Sequence, residues 1–137
     1  MHFLIHTNYF ILIMSGKIKV LIAEDSSVIL NLTKKILEFQ NCEISTAKNG
    51  HAVLEMLQTA QFNVILMDIN MPGMDGIECT AAIRKMADSA KSGIPIIAIT
   101  GNAKNYSLEE FKAQGFTDFL QKPLNFDVLV EKVKAFA

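Results

Sequence analysis

The chain alternates short apolar segments of strand length with longer segments of helical periodicity, and this alternation limits its fold more than any single residue does. Five segments are predicted as buried strands, most of them nearly continuous apolar runs. They are Ile18 to Ala23, Cys42 to Ala47, Val64 to Met67 after Phe62, Ile96 to Ile99 after Pro95, and Thr117 to Leu120. Strands of this kind predict a sheet that is covered on both faces.

Helical periodicity fills the intervals between these strands. Ser26 or Ser27 is expected to cap the first helix, whose apolar stripe is Val28, Leu32, Ile36 and Phe39. The later helices are predicted around Ala52 to Leu57, around Ile77 to Ile83, weakly at Leu108 and Phe111, and finally with Phe126, Leu129, Val130, Val133 and Phe136 on the inner side. Five β-α units predict an α/β fold, a doubly wound five-stranded parallel sheet with helices on both faces.

Size, charge and cysteine content narrow the class of protein. With 137 residues, half of them hydrophobic, the chain is expected to form one domain with one core. A net charge of −1 and scattered lysines argue against direct binding of nucleic acid. Cys42 and Cys79 accompany no convincing export signal, so we expect reduced thiols and a cytoplasmic location.

The apolar beginning, residues 1–16, is interpreted as an extension before a domain of residues 17–137. His6, Thr7 and Asn8 interrupt its apolar run, which is too short to span a membrane and lacks the features of a secretory signal. Either Met14 is the biological start and the first thirteen residues are not native, or the segment adds a strand or contacts a partner. Neither interpretation makes this a membrane protein.

Charged and hydroxyl side chains follow four of the predicted strands. Glu24 and Asp25 close the first strand, Asp68 the third and Thr100 the fourth, and Lys122 follows the fifth. Because the carboxyl ends of parallel strands meet at one edge of a sheet, we expect one site. Carboxylates about 4 Å apart repel by on the order of 4 kcal/mol per pair at an effective dielectric of 20, so a cation must offset them, and Mg²⁺ suits an all-oxygen site. Asp68 is then the candidate nucleophile toward a phosphoryl group, whose oxygens Lys122 and Thr100 can bind.

Each of these features also has a purely structural interpretation. An acidic pair at a strand end commonly caps a helix or meets solvent, and Thr100 alone would be a strand-end hydroxyl. Lys122-Pro123 alone would be a turn, although Pro123 can also fix a cis peptide bond that points the lysine inward. Asp75 is expected to cap a turn with Gly76 rather than to bind a metal.

In this order and at these strand ends, the motifs resemble the response-regulator receiver domain of two-component signalling. They are Glu24-Asp25, the segment Met67 to Gly76, the turn Thr100 to Ala103, and Lys122-Pro123, and the similarity spans about Lys17 to Ala137. The resemblance implies the strand order 2-1-3-4-5. It also implies that Asp68 accepts a phosphoryl group from a sensor histidine kinase or a phosphotransfer protein.

Further roles follow from the same resemblance. Asp25 would bind Mg²⁺ directly and Glu24 through water, and the main-chain carbonyl of Asn70 would complete the protein ligands. Thr100 and Phe119 would form the switch that senses phosphorylation. Phe119 stands where tyrosine is frequent, so we expect its coupling to Thr100 to depend on packing alone.

The implied function is a phosphorylation-dependent signalling switch that catalyses only its own phosphorylation and dephosphorylation. Its output would reach a downstream protein, or a phosphorylation-dependent homodimer, through the helices from about Lys104 to Gln114 and from about Asn125 to Phe136. The alternative is a small Mg²⁺-dependent phosphohydrolase of the haloacid-dehalogenase type, disfavoured because Asn70 stands where that family normally has a second aspartate. A third interpretation, a degenerate receiver used only for interaction, is disfavoured by the intact set of site residues.

Overall fold

The computed structural model describes residues 16–137, and most of the predicted N-terminal extension therefore lies outside the described residues. One parallel sheet contains β1 (Ile18–Ala23), β2 (Cys42–Ala47), β3 (Val64–Asp68), β4 (Ile96–Thr100) and β5 (Asp118–Gln121). The strand order is β2-β1-β3-β4-β5. Both the predicted fold class and the strand order implied by the resemblance are confirmed.

Six helices alternate with the strands in the described part of the chain. They are α1 (Ser27–Phe39), α2 (Gly50–Thr59), α3 (Gly76–Arg84), α4 (Ser89–Ser92), α5 (Leu108–Ala113) and α6 (Phe126–Lys134). The short α4 was not predicted, and α5 begins later than expected, after a 3₁₀ turn at Ala103–Asn105. The late start has a local cause, since the Ser107 side chain caps α5 by accepting a hydrogen bond from the Glu110 N–H at 3.2 Å.

The sheet separates two hydrophobic clusters. Side chains of β1 alternate between them, with Leu21 and Ala23 in one and Val20 and Ile22 in the other. Side chains of α2, α3 and α5 cover the first cluster, and those of α1 and α6 cover the second. β3 and β4 are buried over their full length. Packing from both sides therefore holds the ends of these two central strands in place.

The apolar stripe predicted on α1 is not the face that packs against the sheet. Val28 and Phe39 are 78% and 92% exposed, and Leu32 is exposed too. The buried positions are instead Leu30, Thr33 and Leu37, and the Thr33 hydroxyl is satisfied by donating to the Ile29 carbonyl at 2.8 Å. Helical spacing is met by both stripes, so periodicity alone could not distinguish them.

The other helices agree better with their predicted inner faces. On α6, Leu129 and Val133 are buried, and Phe126, Val130 and Phe136 pack partly buried against the same cluster. Within residues 16–137, no helix combines the length and the apolar character needed to cross a membrane.

Candidate functional site

Four strand ends converge at one edge of the sheet, beside the point where the strand order reverses. β1 pairs with β2 on one side and with β3 on the other, so this point lies between Glu24 and Asp68. Hydrogen bonds continue past the strands: the Glu24 N–H donates to the Ala47 carbonyl at 3.0 Å, and the Lys122 N–H to the Thr100 carbonyl at 2.8 Å. The sheet thus fixes the backbone of the site, in the crevice where open α/β sheets bind ligands.

Three carboxylates form an acidic cluster in this crevice. Glu24, Asp25 and Asp68 each offer an oxygen, and these atoms all lie within 4.8 Å of one another. Glu24 and Asp68 are 2% and 1% exposed, whereas Asp25 is exposed to solvent. Backbone donors orient the buried pair: the Ser26 N–H reaches Glu24 Oε1 and the Asn70 N–H reaches Asp68 Oδ1, each at 3.0 Å. The structure therefore brings together all three acids predicted for the metal site.

Lys122 brings its ammonium group into this cluster. Its Nζ lies 3.1 Å from Asp68 Oδ2 and 3.7 Å from Glu24 Oε2. The Lys122-Pro123 peptide bond is cis, as the sequence suggested. One ammonium group therefore contacts two of the three clustered carboxyl groups.

The cluster strongly affects the acidity of Glu24. Its pKa is raised from 4.5 to about 7, chiefly because the carboxyl group is buried, and the neighbouring Asp68 raises it further. The Ser26 N–H and Lys122 act in the opposite direction. Glu24 Oε2 is also buried without a hydrogen-bond partner. A buried oxygen of this kind is unfavourable unless a cation or water contacts it.

The donor set fits a hard divalent cation. It consists of carboxylate oxygens, one of them without a hydrogen-bond partner, and Asp25 is open to solvent. Mg²⁺ prefers oxygen ligands and retains several waters, so a small set of protein carboxylates beside solvent is suitable for it. The thiols are not candidates, because Cys42 and Cys79 are buried in separate hydrophobic clusters.

Thr100 is the last residue of β4, whereas Phe119 is the second residue of β5 and pairs with Ala98. Thr100 is 2% exposed, and its Oγ1 accepts a hydrogen bond from the Asn102 N–H at 3.0 Å. Its hydroxyl proton is therefore free to be donated elsewhere. Phe119 is partly buried and stacks on Phe111 of α5, with ring centroids 4.8 Å apart.

Comparison with known proteins identifies the family to which this site belongs. The model of the response regulator receiver domain matches residues 20–134. The chain belongs to this family. The match contains all the residues of the acidic cluster together with Lys122, and it gives no support to the haloacid-dehalogenase alternative.

Relatives of this receiver domain include parts of much longer sensor proteins. The CAI-1 autoinducer sensor kinase/phosphatase CqsS of Vibrio cholerae is 36% identical over 118 residues, which cover 86% of this chain and 17% of that protein. Sensor protein GacS of Pseudomonas syringae is 34% identical over 116 residues, covering 84% of this chain and 13% of that protein. The receiver thus spans less than a fifth of the length of these two relatives.

Solved receiver structures share the fold. Chemotaxis response regulator CheY4 of Vibrio cholerae superposes with a TM-score of 0.78 at 32% identity, covering 89% of this chain and all of that chain. The receiver domain of sensor histidine kinase PA1611 from Pseudomonas aeruginosa also has a TM-score of 0.78, at 26% identity and with 88% and 98% of the two chains covered. The latter structure has a magnesium ion coordinated in its active-site cleft.

Gly76 supports the receiver site in a way that the sequence analysis missed. Its N–H donates to the Ile69 carbonyl at 2.9 Å. A Cβ at this position would lie 2.8 Å from Ile69 Cα and would collide with the Asp68 carbonyl oxygen. Only glycine therefore allows α3 to begin directly against the backbone that carries Asp68. Asp75 caps α3, its Oδ1 accepting from the Glu78 N–H at 2.8 Å, which confirms a capping role.

An apolar groove, here called the α1 groove, adjoins the site on the side of α1. It has a volume of about 530 Å³ and is lined by Val28, Ile29, Leu32, Lys122, Pro123, Leu124 and Phe126. Two of its residues, Val28 and Leu32, belong to the stripe that the sequence analysis noted. These two residues of the stripe therefore line an exposed groove and do not belong to the hydrophobic core.

Proposed function

We propose that this receiver domain is a phosphorylation-dependent switch whose phosphoryl acceptor is Asp68. One observation carries the proposal: a carboxylate only 1% exposed lies within hydrogen-bonding distance of the Lys122 ammonium, at 3.1 Å, and of the Asn70 N–H, at 3.0 Å. Glu24 and Asp25 complete a cluster that favours a divalent cation beside it. Such an arrangement suits acceptance of a phosphoryl group, because that reaction needs positioning and charge neutralisation more than covalent assistance.

Mg²⁺ is the cation that we propose for this cluster. Asp25 and Asp68 would bind it directly, Glu24 through water, and the Asn70 carbonyl would be a further ligand. When bound, the ion neutralises charge on the oxygens of the transferring group.

The reaction transfers a phosphoryl group from a histidine of a sensor kinase or phosphotransfer protein. The P–N bond breaks and its electron pair stays on the imidazole, while an Asp68 carboxylate oxygen forms the new P–O bond. The Lys122 ammonium binds a phosphoryl oxygen as negative charge arrives, and the free hydroxyl proton of Thr100 is donated to another. The domain would catalyse only its own phosphorylation and dephosphorylation.

The α1 groove is the surface that we propose for the phosphodonor protein. A donor that brings its histidine to Asp68 must cover the surface beside Lys122-Pro123, and the groove begins there. Val28 and Leu32 expose apolar area to water that a partner would bury. The signal would then pass to a downstream protein or a second copy through the face of α5, β5 and α6, and we propose a cytoplasmic setting for both steps.

The acceptor assignment is tested with acetyl phosphate and Mg²⁺, followed by borohydride trapping and peptide mass spectrometry. We expect one label, at Asp68, and none in Asp68→Asn. Asp75→Asn is the matched control, because asparagine caps a helix about as well as aspartate and Asp75 lies outside the acidic cluster. A label at another residue, or labelling that persists in Asp68→Asn, would refute the assignment.

The donor surface is tested by comparing two phosphodonors on Leu32→Glu. Transfer from a phosphorylated histidine phosphotransfer domain that labels the wild type should be slower, while labelling by acetyl phosphate is unchanged. Phe39→Ser is the control, since Phe39 is on the same helix but about 16 Å from Val28 along its axis. Equal transfer to Leu32→Glu and to the wild type would exclude this surface.

A further inference from the structure

The loop of residues 70–75, here called the acceptor loop, is closed at its base and joins β3 to α3. The Gly76 N–H donates to the Ile69 carbonyl at 2.9 Å, which brings the two ends of the loop together. At its start, the Asn70 N–H donates to Asp68 Oδ1 at 3.0 Å. The placement of this loop therefore also determines where the Asn70 carbonyl lies beside the acidic cluster.

Met74 packs the acceptor loop against Gly50, the first residue of α2. A Cβ at position 50 would lie 2.8 Å from Met74 Cγ, 2.9 Å from its Sδ and 3.0 Å from its Cβ. Gly50 is buried, and Met74 packs partly buried against the hydrophobic cluster that α2 and α3 cover. Because the Met74 Cβ is bonded directly to the main chain, a side chain at position 50 would displace the loop as well as the flexible end of Met74.

The backbone of α2 does not require glycine at position 50. Gly50 lies within the helix, and the glycines with positive φ among residues 16–137 are Gly73 and Gly115. Alanine fits a helical backbone and is normally more favourable there than glycine. The close approach of Met74 is therefore the physical reason for the missing side chain at position 50.

A second contact links Gly50 to α3. The Gly50 carbonyl accepts a hydrogen bond from Cys79 Sγ at 3.5 Å in a buried environment. Burial raises the pKa of the Cys79 thiol to about 12, so the thiol keeps the proton that it donates. Gly50 thus contacts both the acceptor loop and the helix that follows it, and these segments pack together with α2.

We propose that the contact between Gly50 and Met74 positions the acceptor loop for Mg²⁺, which makes Met74 a positioning residue that does not itself bind the ion. This inference rests on the proposed function, in which the Asn70 carbonyl is a ligand. The contact holds the loop in place in the metal-free protein, so the ion does not have to order it on binding. Disturbing the contact should therefore weaken Mg²⁺ binding while the acidic cluster stays intact.

Two substitutions change the contact from its two sides. Gly50→Ala overlaps Met74 and should weaken Mg²⁺ binding by about tenfold, the lower end of the effect of removing groups that orient metal ligands. Met74→Ala removes Cγ and Sδ and should weaken binding less, because the loop loses packing but is not displaced. The double variant Gly50→Ala/Met74→Ala relieves the two shortest contacts, so it should bind Mg²⁺ more tightly than Gly50→Ala does.

NMR titration of isotopically labelled protein with magnesium chloride measures the affinity, and amide exchange in EDTA reports on the loop without the ion. The reporters are the N–H groups of Asn70 and Gly76, since both form hydrogen bonds at the ends of the loop. Both should exchange faster in Gly50→Ala and recover in the double variant. The control Ile83→Val loosens the same cluster near the far end of α3 and should leave the affinity and both amides unchanged.

Circular dichroism checks that each variant folds, and Met74→Ala carries the test if Gly50→Ala does not fold. Mg²⁺ affinity equal to that of the wild type in Gly50→Ala, or in Met74→Ala where it carries the test, would overturn the positioning role. A double variant that binds no more tightly than Gly50→Ala, or an equal loss of affinity in Ile83→Val, would also overturn it.

Labelling of Asp68 by acetyl phosphate is measured on the wild type and the variants at saturating Mg²⁺, which separates this inference from the proposed function. If Asp68 is labelled and all the variants bind Mg²⁺ as the wild type does, only the positioning role fails. If the wild type neither binds Mg²⁺ nor is labelled at Asp68, both proposals fail.

Discussion

Replacing Glu24 by glutamine should stabilise the metal-free protein at pH 8 and remove much of the pH dependence of its stability. Burial raises the pKa of Glu24 from 4.5 to about 7. Between pH 4.5 and about pH 7, Glu24 therefore keeps its proton in the folded protein but has lost it in the unfolded chain. The resulting stability is fully present below pH 4.5 and is lost as the pH rises through 7.

The size of the effect follows from the two pKa values. The interval from 4.5 to about 7 corresponds to about 3 kcal/mol of unfolding free energy, a large part of the roughly 5–15 kcal/mol of a typical domain. Glutamine removes the charge but keeps an oxygen for the Ser26 N–H, which now donates to Glu24 Oε1 at 3.0 Å. Lys122 keeps its contact with Asp68 at 3.1 Å. At pH 8 the unfolding free energy of Glu24→Gln should exceed that of the wild type by close to about 3 kcal/mol. At pH 5 the unfolding free energies of the two proteins should differ little.

Urea unfolding in EDTA at pH 5 and pH 8 measures this difference. Glu55→Gln, at an exposed position on α2, is the control for a simple loss of one surface carboxylate. Mg²⁺ at pH 8 should stabilise the wild type more than Glu24→Gln, because the ion offsets the charge that the variant lacks. If the wild type and Glu24→Gln lose the same stability between pH 5 and pH 8, the burial argument for Glu24 is wrong.

Three further changes test other parts of the site. Asp25→Ala should reduce the rise in Tm caused by Mg²⁺, because it removes a proposed metal ligand. The Tm of the metal-free protein should stay unchanged or increase, because one of three repelling carboxylates is gone. An equal rise in Tm with Mg²⁺ in the variant and the wild type would contradict this. Gly76→Ala should lower the free energy of unfolding, measured in urea, by about 1–3 kcal/mol. The control Gly101→Ala should lower it by less than about 0.5 kcal/mol, because a Cβ at Gly101 would meet no atom within 4 Å. Similar losses in the two variants would argue against the close approach at Gly76. Lys122→Met should slow labelling of Asp68 by acetyl phosphate by about 10²-fold, and a rate close to that of the wild type would remove Lys122 from the mechanism.

Much of this protein could be predicted because its signals are local. The apolar runs that became β1, β3 and β4 are short enough to identify as strands, and the alternating helices imply a parallel sheet. Asp68 ends β3, and Glu24 and Asp25 follow β1 directly, so the parallel sheet brings the three acids to one edge. Lys122 contacts two of these acids, so four of the predicted site residues meet in space.

Other features depend on which elements become neighbours, and no local pattern records that. Two stripes of α1 have helical spacing, and only contact with the sheet decides that Leu30 and Leu37 are buried while Val28 and Leu32 line a surface groove. The need for glycine at position 76 comes from the Asp68-Ile69 backbone.

The raised pKa of Glu24 likewise requires burial beside Asp68, which lies 44 positions away in the sequence. Periodicity is a property of one segment of chain, whereas burial, close approach and charge coupling are properties of segments that pack together. The amino-acid pattern was therefore enough to predict the class of fold and the three acids that meet at one edge of the sheet. Only the packing of the helices on the sheet decided which surfaces remain exposed and how strongly the site is charged.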